Sequence, residues 1–213
     1  VNPTVRGRDA AIPGLGYPGG VATGDVAQGY GFFGLSYKHQ FNDNLSAALI
    51  IEQSFGADIL YAAPPGGTPL LAGTKVEINS TTYTALLRYK FDNNFSVHGG
   101  IRGSYADGNV RLEGLGYSSL GAPYDLDIDG EWGVGYVVGA AYEMPEIAAR
   151  VSLTYNSPIE HDFRMTESGG LLPGVEVGDY EVKTPRSWTL EGQTGVAADT
   201  LVFGSIRWVK WSE

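Results

Sequence analysis

No cysteine occurs among the 213 residues. That excludes a disulfide framework, a thiolate metal site and a cysteine nucleophile. It also suits a cell-envelope protein that folds in an oxidising compartment. Charge is sparse: 18% of residues are Asp, Glu, Lys or Arg, and the net charge of −10 excludes a general affinity for nucleic acid. Long apolar runs are missing too. Although 43% of residues are hydrophobic, no stretch approaches the roughly 18–20 consecutive apolar residues of a membrane helix. Val1-Asn2-Pro3-Thr4 lacks the basic and apolar regions of a signal peptide, which decides nothing for an exported protein. What the chain has in quantity is Gly (31) and aromatic residues, 13 of them Tyr. Both suit closely packed strands and aromatic girdles at a membrane interface.

Alternation with period two recurs along the chain and predicts eight strands. Leu35, Tyr37 and Phe41 oppose Ser36, Lys38 and Gln40; Leu45, Ala47, Leu49 and Ile51 oppose Ser46 and Glu52. Tyr83, Leu87 and Tyr89 oppose Thr84, Arg88 and Lys90, and Phe95, Val97, Ile101 and Tyr105 oppose Ser96, His98, Arg102 and Ser104. The second half repeats the pattern around Trp132–Tyr142, Val151–Tyr155, Trp188–Leu190 and Val202–Trp208. Tight turns at Asn42-Asp43, Asp92-Asn93, Met144-Pro145 and Ala197-Ala198 alternate with long polar stretches, read as loops over 56–72, 108–129 and 158–184. Short turns at one end and long loops at the other are the layout of an outer-membrane barrel. The charges sit on the face opposite the apolar one, so a charged lumen and an apolar exterior fit a bilayer. A soluble lipocalin-like barrel or sandwich would be inside out from this arrangement. The fold class read from the sequence is therefore all-β, an antiparallel transmembrane β-barrel in a bacterial outer membrane. The lipid bilayer is its solvent and lipopolysaccharide a candidate neighbour.

Several motifs invite chemistry and resist it. Asp125-Leu126-Asp127-Ile128-Asp129-Gly130 resembles the start of a calcium loop, but its twelfth position is Tyr136 rather than Glu. Gly116-Tyr117-Ser118-Ser119-Leu120-Gly121 misses the spacing of a nucleophile elbow. His161 lies between Glu160 and Asp162, yet neighbours on a strand point to opposite faces. No catalytic residue, cofactor or metal site is expected; an outer-membrane hydrolase built on His161 is the catalytic alternative. Leu70 and Leu71, after Ile59, Leu60 and Tyr61, are apolar for an outer loop and read either as irregular loop or as a landing surface for an apolar solute.

The run Tyr155-Asn156-Ser157-Pro158-Ile159-Glu160-His161-Asp162-Phe163, then Thr184-Pro185-Arg186-Ser187, then Arg207-Trp208-Val209-Lys210-Trp211, together with Ser54-Phe55-Gly56 after a strand, resembles the FadL/TodX family of outer-membrane transporters. The resemblance runs over nearly the whole chain in order. It implies a fourteen-stranded barrel with an N-terminal hatch. Such a barrel takes up long-chain fatty acids or other hydrophobic compounds and releases them sideways through a gap in its wall. Asn2-Pro3-Thr4 departs from the hatch's Asn-Pro-Ala segment, and family members continue beyond Trp211-Ser212-Glu213. The expectation is a single barrel domain over 1–213, an internal piece of about eight strands. A closed eight-stranded OmpW-like barrel is the alternative. For a hydrophobic solute such as a long-chain fatty acid, lumen-side Ile50 and Leu86 would supply apolar wall and Arg88 or Arg102 a cation. Each Arg is otherwise expected to pair with Glu52, Glu131 or Glu191.

Overall fold

A computed structural model describes residues 2–29, 31–120 and 123–211, the side chains of 118–120 excepted. The side chains of the two serines singled out at 118 and 119, together with Gly121 and the final Ser212-Glu213, therefore lie outside what is described. Among the described residues, eight strands form one antiparallel path: β3 (Gly34–Gln40), β4 (Leu45–Glu52), β6 (Lys75–Lys90), β7 (Phe95–Leu112), β8 (Tyr124–Met144), β9 (Ala149–Asn156), β12 (Ser187–Ala197) and β13 (Thr200–Val209). Consecutive strands of this path pair as neighbours, so the four tight turns all fall at one end. β3 and β13 are the two ends of the path and do not pair with each other. The sheet is an open, partial barrel, which overturns the closed eight-stranded alternative.

The long stretches read as loops contain strand, most of all 158–184, and this corrects the sequence reading. β5 (Gly56–Leu60) extends the line of β4 along β6. β7 and β8 pair through Val110↔Leu126 and Leu112↔Tyr124, well into 108–129. β10 (Ile159–Gly169) and β11 (Glu176–Thr184) form a hairpin within 158–184. The alternation persists there, as Leu126 and Ile128 show. It is diluted by charge because these extensions stand in water rather than lipid, and dilution makes a strand resemble a loop. At the top, β1 (Arg6–Arg8) and β2 (Ala22–Asp25) form a separate two-stranded sheet, and Ala27 bridges to Ile59 on β5.

The faces identify the solvent. Leu35, Leu49, Leu87, Ile101, Val134 and Ile206 are exposed, whereas Ser46, Thr82, Thr84, Ser96, Ser104, Ser152 and Ser187 are buried. A water-soluble barrel has the reverse order. On β7 the outward apolar run spans Phe95 to Tyr105, roughly 33 Å of strand at ~3.3 Å per residue and about 24 Å of height at a membrane barrel's tilt. Aromatic contacts mark both limits: Phe91 on Phe95 below, Tyr83 and Tyr105 against Trp132 above.

Candidate functional site

The wall is interrupted between β4 and β5. Glu52 pairs with Thr82 and Gly56 with Asn79, so Gln53, Ser54 and Phe55 face only Ser80 and Thr81. This is one residue too many for a regular ladder, the definition of a bulge. Side chains repair part of it. The Phe55 N–H donates to Ser80 Oγ (2.9 Å), the Ser80 hydroxyl donates to the Phe55 carbonyl (2.7 Å), and Ser54 Oγ donates to Thr82 Oγ1 (3.1 Å).

A second interruption stands at the same level. β8 pairs with β10 over Tyr124–Ile128 and with β9 over Val137–Met144, but with neither in between. There the chain after Asn156 folds over the inner face of β8. A Cβ on Gly135 would sit 2.7 Å from both Ile159 Cγ1 and Ser157 Oγ, so only glycine admits this crossing. His161 is buried, stacks on Phe163 and meets the Ser104 carbonyl oxygen through Nε2 at 3.1 Å. Glu52, Thr82, Ser104 and Gly133 form a single cross-strand row joining the two interruptions.

Along this wall lie three cavities, each sharing lining residues with the next. The lumenal one, about 260 Å³, has an apolar floor of Ile50, Leu86 and Val137. Leu86 and Val137 flank Gly100 on one row, where a Cβ would lie 2.9 Å from the Ala85 carbonyl carbon, so the floor stays flat. Charges bound it on two sides. Arg88 donates to Glu143 (2.6 Å) and Ser96 Oγ (3.2 Å), while Lys90 and Arg150 lie 3.5 and 3.7 Å from the same carboxylate. On the other side Arg102 stands 3.9 Å from Glu52. Glu52 and Arg102 also line a middle cavity of about 210 Å³. That cavity shares Gln53, Ser54 and Phe55 with a third, about 400 Å³, at the interrupted strand.

A family model described as outer membrane protein transport protein (OMPP1/FadL/TodX) matches residues 19–213. The chain belongs to that family. Its place is accordingly the bacterial outer membrane. Among solved structures, a Pseudomonas aeruginosa FadL homologue aligns with 89% of the chain at 13% identity and a TM-score of 0.72. The toluene transporter TodX of P. putida aligns with 91% at 15% identity and 0.59, and the monoaromatic hydrocarbon channel CymD with 98% at 12% identity and 0.57. These likenesses concern the fold. The chain covers 51%, 57% and 58% of those three structures respectively, so it spans little more than half of a FadL/TodX barrel. Comparison with curated proteins finds no match.

In this FadL/TodX wall the structure brings Ile50, Leu86, Arg88 and Arg102 to one cavity. Leu70 and Leu71 are elsewhere. Leu70, expected at an exposed tip, is only 7% exposed. Its carbonyl and that of Pro69 accept the N–H groups of Gly116 and Leu115, so Leu70 is held beneath the 113–116 turn, while Leu71 is half-buried. Of the expected ion pairs, Arg102–Glu52 forms, but Arg88 takes Glu143, and Glu191 instead accepts from Ser152. Glu143 ends its strand beside a tight turn, and only the register β6–β7–β8 reveals that it reaches Arg88. Asp125 and Asp127 lie within β8, held by Arg111 and Asn109. The groups above the membrane form an outer cap. There Tyr124 is pushed up to about 12 by burial and by donating to Glu167.

Proposed function

We propose that the transporter containing this chain takes up hydrophobic small molecules, long-chain fatty acids among them, and releases them sideways through the interruption at Gln53–Phe55. The observation that carries this reading is the run of three cavities from the apolar floor to the broken strand. Ile50 and Leu86 would hold the apolar body of the solute, and Arg88 or Arg102 an anionic head where it has one. The similarity to TodX, a toluene transporter, and to CymD, a monoaromatic hydrocarbon channel, supports an aromatic hydrocarbon as the second solute class. A transport role also fits His161, whose Nε2 is engaged by a backbone carbonyl and whose ring is enclosed.

The test uses the full-length protein in lipid vesicles. This chain has no cysteine, so Ser54→Cys introduces a single thiol here that takes a bulky maleimide. Labelling should abolish uptake of a long-chain fatty acid while the unlabelled variant retains it. Undiminished uptake after complete labelling would refute sideways release at this point. Turnover of lipid or peptide by the purified protein, lost on His161→Ala, would refute the transport reading.

A further inference from the structure

We infer that Arg102 and Glu52 form an exchange latch at the junction of the lumenal and middle cavities: a solute carboxylate replaces Glu52 on the Arg102 guanidinium, and the displaced Glu52 frees the adjacent strand break. The inference rests on the sideways-release reading above.

Arg102 has an unusual set of partners. Its side chain is only 12% exposed. A guanidinium carries five N–H donors, yet among the described residues the Arg102 guanidinium makes no hydrogen bond to protein; its ion pair with Glu52, at 3.9 Å, is longer than a hydrogen bond. Arg88 and Arg207 differ: the first is held by Glu143 and Ser96, the second by Ser187. The guanidinium borders both the lumenal and the middle cavity, so its donors stand open to an incoming carboxylate, which can bind them in a fork.

Glu52 is suited to leave. It is half exposed, so water can receive its carboxylate. It is the last residue of β4, directly before Gln53, Ser54 and Phe55. The Ser54 hydroxyl that donates to Thr82 lies 3.4 Å from Glu52 Oε1 as well. Movement of Glu52 therefore acts on the bulge itself. Exchange conserves charge pairing, since the guanidinium keeps one carboxylate throughout. The tail has a defined place too. Ile50 shares the cross-strand row Ile50–Thr84–Arg102, and Leu86 and Val137 continue the apolar floor behind it. A neutral hydrocarbon of the same length fills that floor without displacing Glu52.

The experiment compares oleate with methyl oleate in vesicles carrying the full-length transporter, measuring binding and uptake of each. The wild-type protein should take up oleate severalfold faster than its ester. Glu52→Gln should bring the ester close to the oleate rate and tighten oleate binding. Arg102→Met should weaken oleate binding by about tenfold or more, the usual effect of losing a charged hydrogen bond, and leave ester binding unchanged. Arg102→Lys, which keeps the charge, should retain part of the oleate preference and guards against a folding defect in the Met variant. An oleate-to-ester ratio unaltered in Glu52→Gln, or parallel loss of both solutes in all three variants, would reduce the pair to a structural contact and overturn the latch. The Ser54→Cys label separates the two readings. If labelling leaves oleate uptake intact, sideways release fails; if labelling blocks uptake but the ratio never changes, the latch alone fails.

Discussion

Small residues decide this wall. Ser46, Thr82, Ser96 and Ser104 stand where a soluble protein would place Val or Leu, and they are the buried ones. Glycine matters at the places where something crosses it. At Gly135 a side chain would meet Ile159 Cγ1 and Ser157 Oγ at 2.7 Å, whereas at Gly192, on β12, a Cβ would meet nothing within 4 Å. Gly135→Val should therefore destabilise the folded barrel by about 1–3 kcal/mol through overpacking, while Gly192→Ala should be close to neutral. Urea unfolding of the full-length protein in lipid vesicles measures both. Equal midpoints for the two variants would mean that residues 157–159 do not lie on β8. None of this was legible from the glycines themselves: the alternation put Gly135 on the inner face and Gly192 on the outer one, without saying that a second layer crosses Gly135.

At the scale of elements, the sequence showed what repeats and hid what departs from repetition. The eight strands of the path, their turns and their faces follow from alternation, since lipid on one side and water on the other impose the period directly. The bulge at Gln53–Phe55 left only Ser54-Phe55-Gly56 as a trace, and the inward fold after Asn156 left only Ser157-Pro158. The site was partly legible for the same reason: parity put Ile50, Leu86, Arg88 and Arg102 in the lumen, but the partner of Arg88 depends on register. At the bulge, Ser80 supplies both hydrogen bonds to Phe55. Ser80→Ala should cost about 1–2 kcal/mol and speed hydrogen exchange at the Phe55 amide selectively; unchanged exchange there would show that the serine does not hold the break.

The cap offers a second test at this scale. Asp9 joins the β1–β2 sheet to the 61–74 segment, accepting hydrogen bonds from Thr68 and from Tyr17 (2.5 Å) as well as from the Val21 N–H (2.8 Å). Partial desolvation raises its pKa, but the hydrogen bonds from Thr68, Tyr17, Val21 and Gly20 together outweigh it and hold the carboxyl below its ordinary 3.8. A carboxyl with a depressed folded-state pKa stabilises above the unfolded value and loses that contribution as pH falls through the folded one. Docking of the cap should thus be unaffected by pH from neutrality down to about that ordinary value, then weaken below it. Limited proteolysis of the first 29 residues with an acid-active protease reads this, and Asp9→Asn should loosen the cap at every pH.

The whole molecule is a curved sheet with two unpaired margins. β3 has β4 on one side and β13 has β12 on one side, with no partner on the other among the described residues. Within a bilayer each unsatisfied backbone group costs several kcal/mol, so neither margin can face lipid. The exposed outer residues of both strands, Leu35 and Tyr37 on β3 and Ile206 and Trp208 on β13, nevertheless mark them as membrane-spanning. Together with the 51–58% coverage of the solved barrels, this requires further strands between the two margins. Hydrogen exchange distinguishes the cases strand by strand. In the full-length barrel the amides of β3 and β13 should be protected as strongly as those of β7, because each is paired on both sides. In residues 1–213 produced alone in detergent, the amides of β3 and β13 that point away from β4 and β12 should exchange rapidly while β7 stays protected. Equal protection of all three strands in the isolated chain would mean that the margins meet, and the lumen would then be a small closed barrel, too narrow for the three adjoining cavities to carry a long-chain solute.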